Sequence, residues 1–79
     1  MVCSEPLVEA SLIESNAGAV VVLANWSGKP IRALEVTFHP PLPRRSATLA
    51  GGGRVEVRQE EDKAVFTFDL DVADVLILR

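Results

Sequence analysis

Ile31-Arg32-Ala33-Leu34-Glu35-Val36-Thr37-Phe38 is the stretch that decides the fold class. Leu34, Val36 and Phe38 fall on alternate positions, with Ala33, Glu35 and Thr37 between them. A helix gathers residues three and four apart onto one face, whereas a strand sends successive side chains to opposite faces. This spacing therefore predicts a strand, with one face on a core and the other toward water.

The same period runs outward in both directions. Downstream, Ala64, Phe66, Phe68 and Leu70 alternate with Val65, Thr67 and Asp69, and Val55 and Val57 alternate with Arg54, Glu56 and Arg58. Arg44–Ala50 reads as a weaker strand, and Ala73–Leu78 as a last strand that is apolar on both faces. Upstream, Ala19–Trp26 opens with the run Ala19–Ala24, also apolar on both faces, which predicts a central strand covered on both sides. Leu7–Ile13 places Val8, Ala10 and Leu12 on one face. The same segment offers Leu7, Ala10 and Ile13 at helical spacing, and the strand reading is preferred. Met1–Pro6 has no packing pattern.

Turn chemistry separates these segments. Asn16-Ala17-Gly18, Ser27-Gly28-Lys29-Pro30, Gly51-Gly52-Gly53 and Glu60-Glu61-Asp62-Lys63 are rich in residues that tolerate turns. His39-Pro40-Pro41-Leu42-Pro43 contains three prolines, which cannot donate ladder hydrogen bonds, so it reads as an extended crossing loop. The expectation is an all-β, compact antiparallel β-sandwich of about seven short strands, immunoglobulin-like, with residues 1–79 forming a single domain.

Composition narrows the function. Eight basic and eleven acidic residues give a formal net charge of −3. An acidic chain with scattered bases lacks the positive face that phosphate backbones and anionic membrane surfaces require. No positively charged n-region marks a signal peptide, and no apolar run is long enough to span a bilayer. The single cysteine, Cys3, cannot close an internal disulfide.

Catalytic motifs are missing: there is no P-loop, no Gly-x-Ser-x-Gly and no His-Glu-x-x-His, and no motif points to a cofactor. One histidine, His39, and one cysteine leave few ways to assemble acid–base or nucleophilic chemistry. A cleft using Asp69, Asp71 and Asp74 with His39 is the arrangement an enzyme would need. The same three aspartates, spaced D-x-D-x-x-D, are the candidate metal ligands, although the glycine and downstream glutamate of a calcium loop are absent. Trp26 has two readings: a core anchor at a strand end, which is preferred, or an exposed platform that stacks on a sugar ring with Asn25 and Glu35 as polar neighbours. Asn25-Trp26-Ser27 also matches a glycosylation acceptor pattern. Pro40-Pro41-Leu42-Pro43-Arg44-Arg45 reads either as a polyproline ligand or as a stiffened connection.

Val22-Leu23-Ala24-Asn25-Trp26-Ser27-Gly28-Lys29-Pro30-Ile31 resembles the leucine–x–asparagine–x–serine/threonine–x–x–proline turn of small C-terminal β-sandwich domains in glycoside hydrolases of the β-galactosidase-like kind. Asp69–Leu78 resembles their closing strand. The resemblance covers Leu7 to Leu78 and carries no catalytic residue. It implies structural roles: Asn25 and Pro30 shape the turn, and Val75 and Ile77 lie in the last strand. It also implies a non-catalytic accessory domain that packs on a neighbouring catalytic domain or on a second copy of itself. The apolar faces of Ala19–Ala24 and Ala73–Leu78, with Val75 and Ile77, are the expected contact surface. A carbohydrate-binding module using Trp26, and a free-standing self-associating protein, are the alternatives.

Overall fold

The structure is a computed structural model that describes residues 1–39 and 46–79. The segment Pro40–Arg45, with its proline-rich motif, lies outside the described residues. Among the described residues eight strands follow one another: β1 (Val2–Cys3), β2 (Val8–Ser15), β3 (Gly18–Asn25), β4 (Ile31–Phe38), β5 (Ala47–Leu49), β6 (Glu56–Gln59), β7 (Ala64–Leu70) and β8 (Ala73–Leu78). The described residues contain no helix. All strand pairs are antiparallel, and they form two four-stranded sheets ordered β1-β4-β7-β6 and β2-β3-β8-β5.

The expected all-β antiparallel sandwich is thus the architecture of the chain. Its pairing is nested: β3 pairs with β8, and between them in sequence β4 pairs with β7. The two central partnerships sit in different sheets, so the connections cross between layers, as they do in jelly rolls. Immunoglobulin sheets interleave their central pairs instead. The likeness to that fold therefore holds at the level of two packed antiparallel sheets.

The core lies between the sheets. The first sheet contributes Leu34, Val36, Phe38, Ala64, Phe66, Phe68 and Leu70, and the second Ala19, Val21, Leu23, Leu49, Leu76 and Leu78. The Phe38 and Phe66 rings meet edge to face, with centroids 5.6 Å apart and planes at 82°. Aromatic quadrupoles favour that geometry. Val8, Ala10 and Leu12 face the core from β2, as their spacing predicts.

Three details depart from expectation. The N-terminal residues are not loose: Val2 and Cys3 pair with Thr37 and Val36, and Ser4 N–H donates to the Glu35 carbonyl at 2.9 Å. Two pairs are too short a stretch to show as a period. The second departure concerns β3 and β8. They are interior strands of their sheet, but only their inner faces are covered, and Val22 on the outside is 43% exposed. An interior strand is flanked by neighbours in its own plane, and that alone puts no second layer over its outer face. The third is a bulge in β4. The register passes from Ile31↔Leu70 to Leu34↔Phe68, which leaves one extra residue on β4, and Ala33 takes a φ of 55°.

Candidate functional site

The outer face of the second sheet is built row by row from its register. Ile13, Val20, Ile77 and Thr48 form one row, and Ser11, Val22 and Val75 the next. Glu9, Ala24 and Ala73 follow. Beyond the strand end, Trp26 N–H donates to the Leu7 carbonyl at 2.9 Å, which continues the alternation and adds Leu7 and Trp26 to the same side. The inner side chains of these strands fill the core, so the outer ones have no partner within the described residues. Leu7 is 56% exposed, Ile13 57% and Trp26 69%, while Val20, Val75 and Ile77 are half-buried by one another. Val75 and Ile77 thus stand in the centre of an apolar sheet face.

Among the described residues, the charged side chains of this face are Glu9 and Arg79. Glu9 marks one end of the rows. Arg79 marks the other, paired with Ser46 by two backbone hydrogen bonds of 3.0 Å. A shallow hollow of ≈ 220 Å³ at that end is lined by Ile13, Val20, Ile77 and Arg79 among others. At the opposite end the Trp26 indole N–H donates to Glu9 Oε1 at 3.4 Å.

Trp26 is therefore a surface residue and not the preferred core anchor. It follows the end of β3, where the turn leaves the sheet, and no described residue covers it. The structure does not gather Trp26, Asn25 and Glu35 into one sugar platform. The Asn25 side chain holds the turn: its amide donates to the carbonyls of Lys29 at 2.8 Å and Asp71 at 2.6 Å, and its oxygen accepts from Ser27 N–H at 2.9 Å. Glu35 belongs to β4 in the other sheet, opposite Thr67. The amide nitrogen on which the glycosylation pattern depends is engaged in those same two bonds.

The three aspartates do not converge either, and the described residues hold no cluster of three metal-ligating side chains. Asp69 accepts from Ala33 N–H at 2.9 Å and from the Arg32 guanidinium at 3.2 Å. These contacts, the Ala33 amide foremost, hold its carboxyl below the ordinary range. Asp74 Oδ1 accepts from the amides of Gly51 at 2.9 Å and Val75 at 2.8 Å. Asp71 meets Asn25 through its backbone carbonyl. Topology explains the scatter: Asp69 lies on β7 in the first sheet, Asp74 on β8 in the second, and Asp71 in the connection between them.

His39 pairs with Asp62 at 3.1 Å, and that hydrogen bond lowers the Asp62 carboxyl. Cys3 faces the core opposite Val36, and burial pushes its thiol up, away from the reactive thiolate. Glu56, Arg54 and Asp69 share the rim of a hollow of ≈ 270 Å³ on the first sheet, a juxtaposition that sequence reasoning missed.

Reading the sequence also missed Leu7, Glu9, Ile13 and Arg79 as members of one face with the expected contact run Ala19–Ala24. The signal was present: if Val8, Ala10 and Leu12 point inward, period two sends Leu7, Glu9 and Ile13 outward. Family models, curated proteins and solved structures were compared with this chain, and none matches it.

Proposed function

We propose that this chain is a non-catalytic interaction domain that docks through the outer face of its second sheet. The observation that carries the reading is the patch of Ile13, Val20, Val22, Val75 and Ile77, contiguous over two rows and three strands with no described residue over it. Single exposed apolar residues are ordinary on protein surfaces, but a contiguous apolar patch in a small domain marks a binding surface. The proposed setting is an accessory module of a larger glycoside hydrolase-like protein. Support for that setting comes from the Leu23–Pro30 turn, which Asn25 organises by three hydrogen bonds.

The test is Val22→Lys. Val22 is exposed, so the variant should fold with an unchanged melting temperature. Binding of an apolar dye by the wild type, and its loss in the variant, supports the reading. A wild-type domain that binds no dye overturns it.

A second reading rests on the exposure of Trp26. A flat indole with Glu9 beside it suits a sugar ring, which offers an apolar face and peripheral hydroxyls. Titration of Trp26 fluorescence with oligosaccharides tests it: a saturable shift supports the reading, and an unmoved spectrum removes it.

A further inference from the structure

We infer that the partner of this face is a second copy of the chain, stacked face to face with its strands running in the opposite direction. The inference rests on the reading of the face as a docking surface and names its occupant. Three features of the face lead to it.

The first is self-complementarity. A twofold axis lying in the interface and perpendicular to the strands passes between the Val22–Val75 row and the Val20–Ile77 row. It lays each of these rows on the other in the partner, so Val20 meets Val22 and Ile77 meets Val75, while Ile13 on β2 meets Ser11 at the flank. An isologous contact of this kind uses one patch twice.

The second is charge. Among the described residues, the charged side chains that flank the paired rows are Glu9 on one side and Arg79 on the other. An axis parallel to the strands would lay the acidic end of each copy over the acidic end of the other, and the basic end over the basic end. The perpendicular axis brings the acidic end of each copy over the basic end of the other. Glu9 lies on β2 and Arg79 follows β8, two strands away, a lateral offset of roughly 10 Å. The charges therefore act at the rim, where they select orientation more than they add strength.

The third is size. The molecule measures 33 × 24 × 20 Å, so its broadest face covers about 800 Å² in plan, close to what each side of a standard interface buries. A stable pair must use a whole face, and this one presents an apolar centre of Val20, Val22, Val75 and Ile77, with Ser11 and Thr48 at its flanks.

Sedimentation of the full chain, from micromolar to millimolar concentration, tests the inference. The wild type should dimerise, and Val22→Lys should be monomeric with an unchanged melting temperature. Glu9→Arg and Arg79→Glu should each weaken the dimer about tenfold at low salt, and the two together should restore it. Restoration supports the opposed orientation. If the double variant stays as weak as the singles, that orientation is wrong. A wild type that stays monomeric at millimolar concentration while Val22 still governs dye binding overturns the second copy as partner and leaves the docking face standing. A dimer that survives Val22→Lys places the contact elsewhere, such as the open edge of β2, and overturns the inference.

Discussion

The carboxylate of Asp69 fastens the backbone of Ala33, accepting its amide proton at 2.9 Å while its second oxygen meets Arg32 at 3.2 Å. Ala33 stands in the left-handed region at φ 55°, where an alanine Cβ is crowded by the carbonyl beside it. One side chain on β7 thus secures the extra residue of β4. The bulge lets β4 continue from Leu34 onward with Leu34, Val36 and Phe38 in the core.

Ala33→Gly should stabilise the domain slightly. Relief of left-handed crowding is worth roughly 1–2 kcal/mol, and the greater freedom of glycine in the unfolded chain takes back part of it. The expected net gain is about 0.5 kcal/mol, read as a higher urea midpoint with an unchanged slope.

Acid should weaken the same clasp. The Asp69 carboxyl is lowered in the folded chain, so the unfolded chain binds its proton more readily. The stability it contributes is complete above the ordinary aspartate value of 3.8 and is lost as pH falls through the lower folded value. Asp69→Asn keeps an acceptor for Ala33 but carries no charge. Urea midpoints at neutral pH and near pH 3 should therefore differ less in this variant than in the wild type. An equal difference would show that Asp69 is not one of the groups responsible.

Gly18 should tolerate no side chain. It opens β3 at a φ of 154°, and a Cβ there would run into the carbonyl oxygen of Leu78. Both atoms belong to the backbone of adjacent strands, so neither can move aside cheaply. Gly18→Ala should cost about 2 kcal/mol or more, measured by chemical denaturation. A Gly52→Ala control isolates the clash, because Gly52 also has positive φ but open space around its Cα.

Cys3 should react slowly. Burial raises its thiol, and the pairing of Val2 and Cys3 with β4 holds it on the core side. Alkylation followed by mass spectrometry should be slower than for a free thiol at the same pH, and should accelerate when Val2→Pro loosens β1. A wild-type rate equal to that of a free thiol would mean that β1 is detached in solution.

Much of this fold was legible because burial here follows period two. Ile31–Phe38, Ala64–Leu70 and Leu7–Ile13 each alternate, and each is a strand whose expected face lies in the core. What stayed hidden has physical reasons. A residue in the left-handed region is announced by glycine or asparagine, and alanine at position 33 carries no such mark. Val65 also misleads: it shares a side with Thr67 and Asp69, yet it is only 2% exposed, flanked in register by Thr37 and Arg58. The runs Ala19–Ala24 and Ala73–Leu78 read as doubly covered because apolar residues on both faces look alike whether a partner belongs to the same chain or to another. The exposure of Trp26 follows from where the Asn25 turn leaves the sheet, which depends on contacts with Lys29 and Asp71.

The place of β8 in its sheet has a consequence for how the protein is made. Val21 lies between Leu12 and Leu76, and Leu76 belongs to the last strand of the chain. At ordinary translation speed Val21 waits roughly 3–10 s before its partner exists. Throughout that interval β3 has β2 along one edge and nothing along the other, which β8 will occupy. The second sheet is therefore complete only after Leu78 has emerged, and until then β3 presents a row of unpaired backbone groups along one edge.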